Sequence, residues 1–76
     1  MELNDFVAKF AELFEEIDTH DFNGQTNFRD NDEWSSLVGL SVIAMVDEEY
    51  DVILKGDDVK RSKTIEDVYN VVKSKL

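Results

Sequence analysis

Two adjacent hydroxyls, Ser35 and Ser36, stand at the head of the apolar run that begins at Leu37. Taken alone, serines there cap a helix, a side-chain oxygen accepting from a backbone N–H that the first turn leaves unpaired. Acid–base chemistry has little else to draw on. His20 is the single histidine and lies in a polar stretch without a motif partner, so it reads as a solvent-exposed side chain. Cysteine is absent, which removes disulfides, thiolate metal sites and cysteine nucleophiles. Carboxylate clusters such as Glu15-Glu16 and Asp47-Glu48-Glu49 are what eighteen acids produce as solvated faces. No catalytic site is expected. A calcium loop starting at Thr19 would place Asp21, Asn23, Gly24 and Asp30 at positions 3, 5, 6 and 12. It fails where charge matters most, because position 1 is Thr and position 12 is not the longer Glu that binds in bidentate fashion. No specific metal site is expected.

A chain of 76 residues makes one domain, 1–76, and a domain of that size buries only about 60% of its unfolded surface. With 42% hydrophobic residues it has material for a core. Eight Lys and Arg against eighteen Asp and Glu leave a net charge of −10, which opposes a phosphate backbone, so nucleic acid is not an expected partner. The longest apolar stretch, Val42 to Val46, is five residues, whereas a bilayer span needs roughly 20. The acidic N-terminus is also unlike a signal peptide. A soluble, cytoplasmic monomer without membrane contact is therefore expected. Residues 1–34 carry ten acids and two bases, a net of −8; residues 35–56 carry −3 and residues 57–76 carry +1. A partner that reads charge on the first two-thirds should be basic.

The elements that position these groups follow from periodicity. Leu3, Phe6, Val7, Phe10, Leu13, Phe14 and Ile17 recur at spacings of three and four, one stripe of a helix that Asn4 or Asp5 would cap. Periodicity is lost from Asp18 to Trp34, a long loop with Phe28 as its apolar pin. Loops of that length are functional or structured by their own side chains. A second helix follows Ser35 and Ser36 and runs from Leu37 to Tyr50. Lys55-Gly56-Asp57-Asp58 reads as a turn into one short helical turn, Asp57 to Arg61. Thr64-Ile65-Glu66-Asp67 resembles a capping box, behind which Ile65, Val68, Tyr69, Val72 and Leu76 repeat helically to the C-terminus. Tyr50 to Leu54 alternates only in isolation. The expected fold is all-α, three main helices plus a short one between the second and last, packed as a bundle.

On the second helix, advancing about 100° per residue separates two apolar groups. Val42, Ile43, Val46 and Tyr50, with Gly39, make the core face. Leu37, Leu40 and Ala44 fall on the other side, with Asp47 and Glu48 flanking them a turn lower. An apolar ridge with an acidic rim is a docking surface for a basic partner; the alternative is that the 18–34 loop covers Leu37 and Leu40.

Phe28, Ser36-Leu37, the helix ending Asp47-Glu48-Glu49-Tyr50-Asp51, the acidic element at 57–61 and Thr64-Ile65-Glu66-Asp67 together resemble the acyl carrier proteins, over essentially the whole chain. That family places Asp-Ser-Leu at the start of its second helix, eight residues after a loop Phe, and Ser36 stands eight after Phe28. Some positions depart from the pattern. Ser35 replaces the motif's Asp, Asn31-Asp32-Glu33 and Trp34 replace the residues usual before it, and Val38 and Ser41 occupy the places of the upper acids. Ser62 replaces an apolar residue of the family's acyl cavity. The departures point to a specialised carrier, one that gives partners reading the upper acids less to grip.

The resemblance implies that Ser36 accepts 4′-phosphopantetheine from coenzyme A through a separate phosphopantetheinyl transferase. The arm's thiol would then carry acyl groups as thioesters to basic acyl-transferring or synthase enzymes of fatty acid, lipid or specialised acyl biosynthesis. A thiol supplied by the cofactor fits a chain without cysteine. A phosphodiester at a helix start also sits where backbone N–H groups and the dipole favour negative charge. Leu37, Leu40, Ala44, Asp47 and Glu48 would form the partner surface. Trp34 either packs over the loop and helix ends or stands beside Ser36 against the arm or a partner. The alternative function is an unmodified acidic interaction module with a carrier-like fold.

Overall fold

The computed structural model describes residues 2–15 and 18–76. It is a small helical bundle: α1 (Leu3–Ala11), a 3-10 turn (Phe28–Asp30), α2 (Ser36–Tyr50), α3 (Gly56–Arg61) and α4 (Ile65–Lys75). The fold class and the order of elements are those expected from the sequence. Phe6, Phe10, Phe28, Val42, Val46, Ile65, Val68 and Val72 are the largest fully buried side chains, so every long helix and the loop contribute to one core.

α1 departs from its periodicity. The helix stops at Ala11, where Leu13 and Phe14 donate to Phe10 O and Ala11 O at 3.1 and 3.0 Å, bonds of the tighter i to i−3 kind. That tightening turns Phe14 onto Phe22 (ring centroids 5.3 Å apart) and Trp34 (6.5 Å). The expected stripe ran on to Ile17, which lies outside the described residues. Its N-cap is Glu2, without a side-chain bond, in place of Asn4 or Asp5.

The loop is held by its own amides. Asp18, Asn23, Asn27 and Asn31 each accept, through a side-chain oxygen, the backbone N–H two residues on, at 3.0, 2.7, 3.0 and 2.8 Å. Such Asx turns give an irregular backbone local partners. Phe28 then enters the core, 5.2 Å from Phe10 and 4.6 Å from Trp34 between ring centroids. Phe22 is a second pin that the sequence pattern did not distinguish. At its far end the loop closes on α4: Thr26 O and Gly24 O accept from the N–H groups of Ile65 and Glu66 at 3.2 and 2.9 Å, while Thr64 Oγ1 accepts from Asp67 at 3.2 Å. The free donors of α4's first turn are thereby satisfied.

α2 ends where Asp51 takes a left-handed conformation (φ 56°), which Asp tolerates better than most residues. Beyond it Val52 and Leu54 are buried and Ile53 is exposed, so the local alternation orders an extended connector without a sheet. Leu76, assigned to α4's apolar stripe, is exposed past the helix end.

Asp67 accepts from the N–H groups of Lys63 and Thr64 at 2.9 and 3.0 Å, which holds its carboxyl below its ordinary value. A carboxyl lowered by folding adds stability above its ordinary pKa, and that contribution is lost as pH falls through the lowered one. Asp67→Asn should therefore be less stable than the parent at neutral pH, the difference narrowing in melts below about pH 4. A difference independent of pH would show that charge on Asp67 is irrelevant to the cap.

Lys9–Glu49 (3.8 Å) and Lys75–Asp58 (3.6 Å) join helices, but a net charge of −10 stays compressed in this volume. Raising salt from about 10 to about 200 mM should raise the melting temperature, since the Debye length shrinks to about 10 Å at 0.1 M. The gain expected is on the order of 1 kcal/mol. Magnesium should exceed sodium at matched ionic strength by loosely bridging carboxylates. A flat or falling melting temperature would mean that repulsion does not limit the fold.

Candidate functional site around Ser36

The two serines at the head of α2 have different tasks. Ser35 is the N-cap, in extended conformation (φ −155°, ψ 173°), and its Oγ accepts from the N–H of Val38 at 3.3 Å. Ser36 is the first helical residue and is exposed, and its hydroxyl makes no hydrogen bond among the described residues. Local geometry thus leaves one hydroxyl free at the positive end of a 15-residue helix, where an anionic ester is favoured.

Beside Ser36 a groove of about 340 Å³ opens between α2 and α3. Its apolar walls are Trp34, Leu40, Ile43 and Val59, with Gly39 and Gly56 giving backbone surface; Arg29 and Lys60 are its charged residues. Trp34 packs over the loop, as the first of its two expected readings has it, and also lines the groove with Ser36. One side of the ring packs on Phe28 and Phe14, and its six-membered edge lies about 3.6 Å from where a Cβ on Gly39 would stand. Ile43, assigned to the core face, is half-buried and faces this groove.

Arg29 organises the opposite wall. Its Nε and Nη2 donate to Ser62 O and Val59 O at 2.7 and 2.6 Å, satisfying carbonyls at the C-terminal end of α3. The guanidinium also lies 6.0 Å from the Trp34 ring centre and 5.7 Å from that of Phe28. Ser62, buried where the resemblance expects an apolar side chain, donates its hydroxyl proton to Asp58 O at 2.9 Å and so is satisfied. Arg29, Val59 and Lys60 were missed by the sequence reading, because a loop arginine and a short helix carry no periodic signal linking them to Ser36.

The ridge on α2 faces solvent. Leu37 and Leu40 are 73% and 63% exposed, and Ala44, Asp47 and Glu48 are exposed as well, so the loop does not cover them. Ile53, 66% exposed after α2, is a further apolar surface residue outside the predicted set. His20 lies elsewhere, exposed between Asp18 (2.8 Å) and Asp21 (3.0 Å), and the Asp18 carboxylate raises its pKa. In the partial calcium loop Asn23 Oδ1 is taken by the N–H of Gln25, and no group of three or more metal-binding side chains occurs among the described residues. No helix of the described chain is long and apolar enough to cross a membrane.

Comparison with protein-family models, with curated proteins and with solved structures finds no match to this chain.

Proposed function

We propose that the protein is an acyl carrier protein, with 4′-phosphopantetheine attached at Ser36. The observation that supports this most is the division of labour at α2: Ser35 caps the helix, leaving the Ser36 hydroxyl exposed at its start and without a hydrogen bond among the described residues. In loading, Ser36 Oγ attacks the pantetheine-side phosphorus of coenzyme A's pyrophosphate. The new P–O bond replaces the bond to adenosine 3′,5′-bisphosphate, which departs, while the hydroxyl proton passes to a base of the transferase. This chain's part is to present the nucleophile and a docking face. Acyl groups then ride on the arm's thiol as thioesters, delivered to basic enzymes of fatty acid, lipid or specialised acyl biosynthesis.

Leu37, Leu40 and Ala44 supply the apolar part of that face, Asp47 and Glu48 its acidic rim. Rim charges act chiefly on association rate. Glu48→Lys should therefore slow loading by a basic transferase and flatten its dependence on salt. Loading kinetics equal to the parent's across a salt series would remove the electrostatic part of this surface. Incubation with coenzyme A and a broad-specificity transferase, followed by intact mass measurement, tests the reading as a whole.

A further inference from the structure

α3 is the element least able to hold itself. It has six residues, fewer than the roughly 12 that an isolated helix needs in water, and Val59 is its one buried side chain. Polar bonds fasten it at both ends. At its start the Asp58 carboxylate accepts from the N–H of Lys55 at 2.9 Å and pairs with Lys75 of α4 at 3.6 Å. At its end the Arg29 guanidinium donates to Val59 O and Ser62 O at 2.6 and 2.7 Å, and the Ser62 hydroxyl donates to Asp58 O at 2.9 Å. Hydrogen bonds from a charged donor are the stronger kind. Arg29 is half-buried with its guanidinium against the rings of Phe28 and Trp34, so the loop ties this latch to the core.

We infer that Arg29 latches α3 shut and thereby restricts the cargo to short acyl groups that stay outside the bundle. This rests on Ser36 as the attachment point. Val59 belongs to the same core as Phe28, Val42 and Val46, so an apolar chain entering that core from the Ser36 side has to part Val59 from α2 and move α3 with it. The movement breaks the Arg29 bonds. It leaves a half-buried guanidinium and two carbonyls without partners, and a hydrocarbon chain offers them none. A cargo that is not admitted keeps its methylenes in water, which is unfavourable for each one and selects an acyl group of few carbons. Arg29 is thus a positioning residue, acting on the cargo only through α3.

The test begins with the unloaded protein, in which amide hydrogen exchange reads the latch. Arg29→Gln should speed exchange at Val59 and Ser62 by about tenfold or more, the worth of hydrogen bonds from a charged donor, and leave Val68 and Val72 of α4 as in the parent. No change at α3, or an equal rise at α4, would overturn the latch. The transferase is then supplied with acetyl-coenzyme A or octanoyl-coenzyme A, so that Ser36 receives the arm with either group. The two loaded forms should melt within about 1 °C of each other and share their amide shifts at Val42 and Val46. Hydroxylamine should cleave both thioesters at rates within about twofold, neither being withdrawn from solvent. In Arg29→Gln the octanoyl form alone should shift Val42 and Val46; no shift there would sever the latch from the choice of cargo. An octanoyl form of the parent that shifts these amides, melts higher and resists hydroxylamine would overturn the inference and leave the carrier reading in place. A chain that accepts neither arm removes the carrier reading and the cargo class with it, while the exchange data still decide the latch.

Discussion

Phe28→Ala should destabilise the protein by about 3–5 kcal/mol, the usual cost of removing a fully buried phenylalanine. The margin decides how severe this is. At 0.05–0.15 kcal/mol per residue, a domain of this length holds only about 4–11 kcal/mol in total. Phe28 is wholly buried, meets Phe10 and Trp34, and anchors the loop segment from which Arg29 reaches the end of α3. Its loss therefore opens a cavity and loosens the wall of the groove together. Urea unfolding should show a midpoint far below the parent's, and a chain already largely unfolded if the parent's margin lies at the low end of that range, while Phe28→Leu keeps a cooperative transition. A loss below about 1 kcal/mol for the alanine variant would mean that the loop is not pinned to the core at this point.

The second large effect is a crossed one at the adjacent serines. Ser36→Ala should abolish loading by the transferase, yet leave stability within about 0.5 kcal/mol, since the hydroxyl is exposed and makes no hydrogen bond among the described residues. Ser35→Ala should do the reverse, loading as the parent does but losing about 1 kcal/mol with its cap on the N–H of Val38. Thermal melts and intact masses of both variants check the pair. If Ser36→Ala still gains the arm and Ser35→Ala does not, the register from Phe28 has been assigned to the wrong hydroxyl.

Elements with explicit end signals were legible. α2 and α4 follow their caps, Ser35 and Thr64-Asp67, and α3 follows the turn at Gly56, because those signals satisfy backbone groups locally and owe little to the rest of the fold. The end of α1 was not legible. Leu13 and Phe14 continue a helical stripe in sequence, but Phe14 is drawn onto Phe22 and Trp34, a tertiary contact that periodicity does not encode. An angular count set the α2 ridge apart from the core face, but whether the 18–34 loop covers it was decided only by the fold, in which Leu37 and Leu40 are exposed. The groove could not, since its cationic side joins Arg29 of a loop to Lys60 of a six-residue helix. Only the folded chain shows that Arg29 turns away from the surrounding acids toward the carbonyls of Val59 and Ser62.

The central claim is that Ser36 carries the arm, and the most direct measurement is the intact mass of the unmodified chain before and after incubation with coenzyme A and a broad-specificity phosphopantetheinyl transferase. A gain of one phosphopantetheine, mapped by fragmentation to Ser36, is the result predicted. No gain, under conditions in which the same transferase loads another carrier to completion, would contradict it and leave the exposed ridge of α2 as the face of an unmodified interaction module.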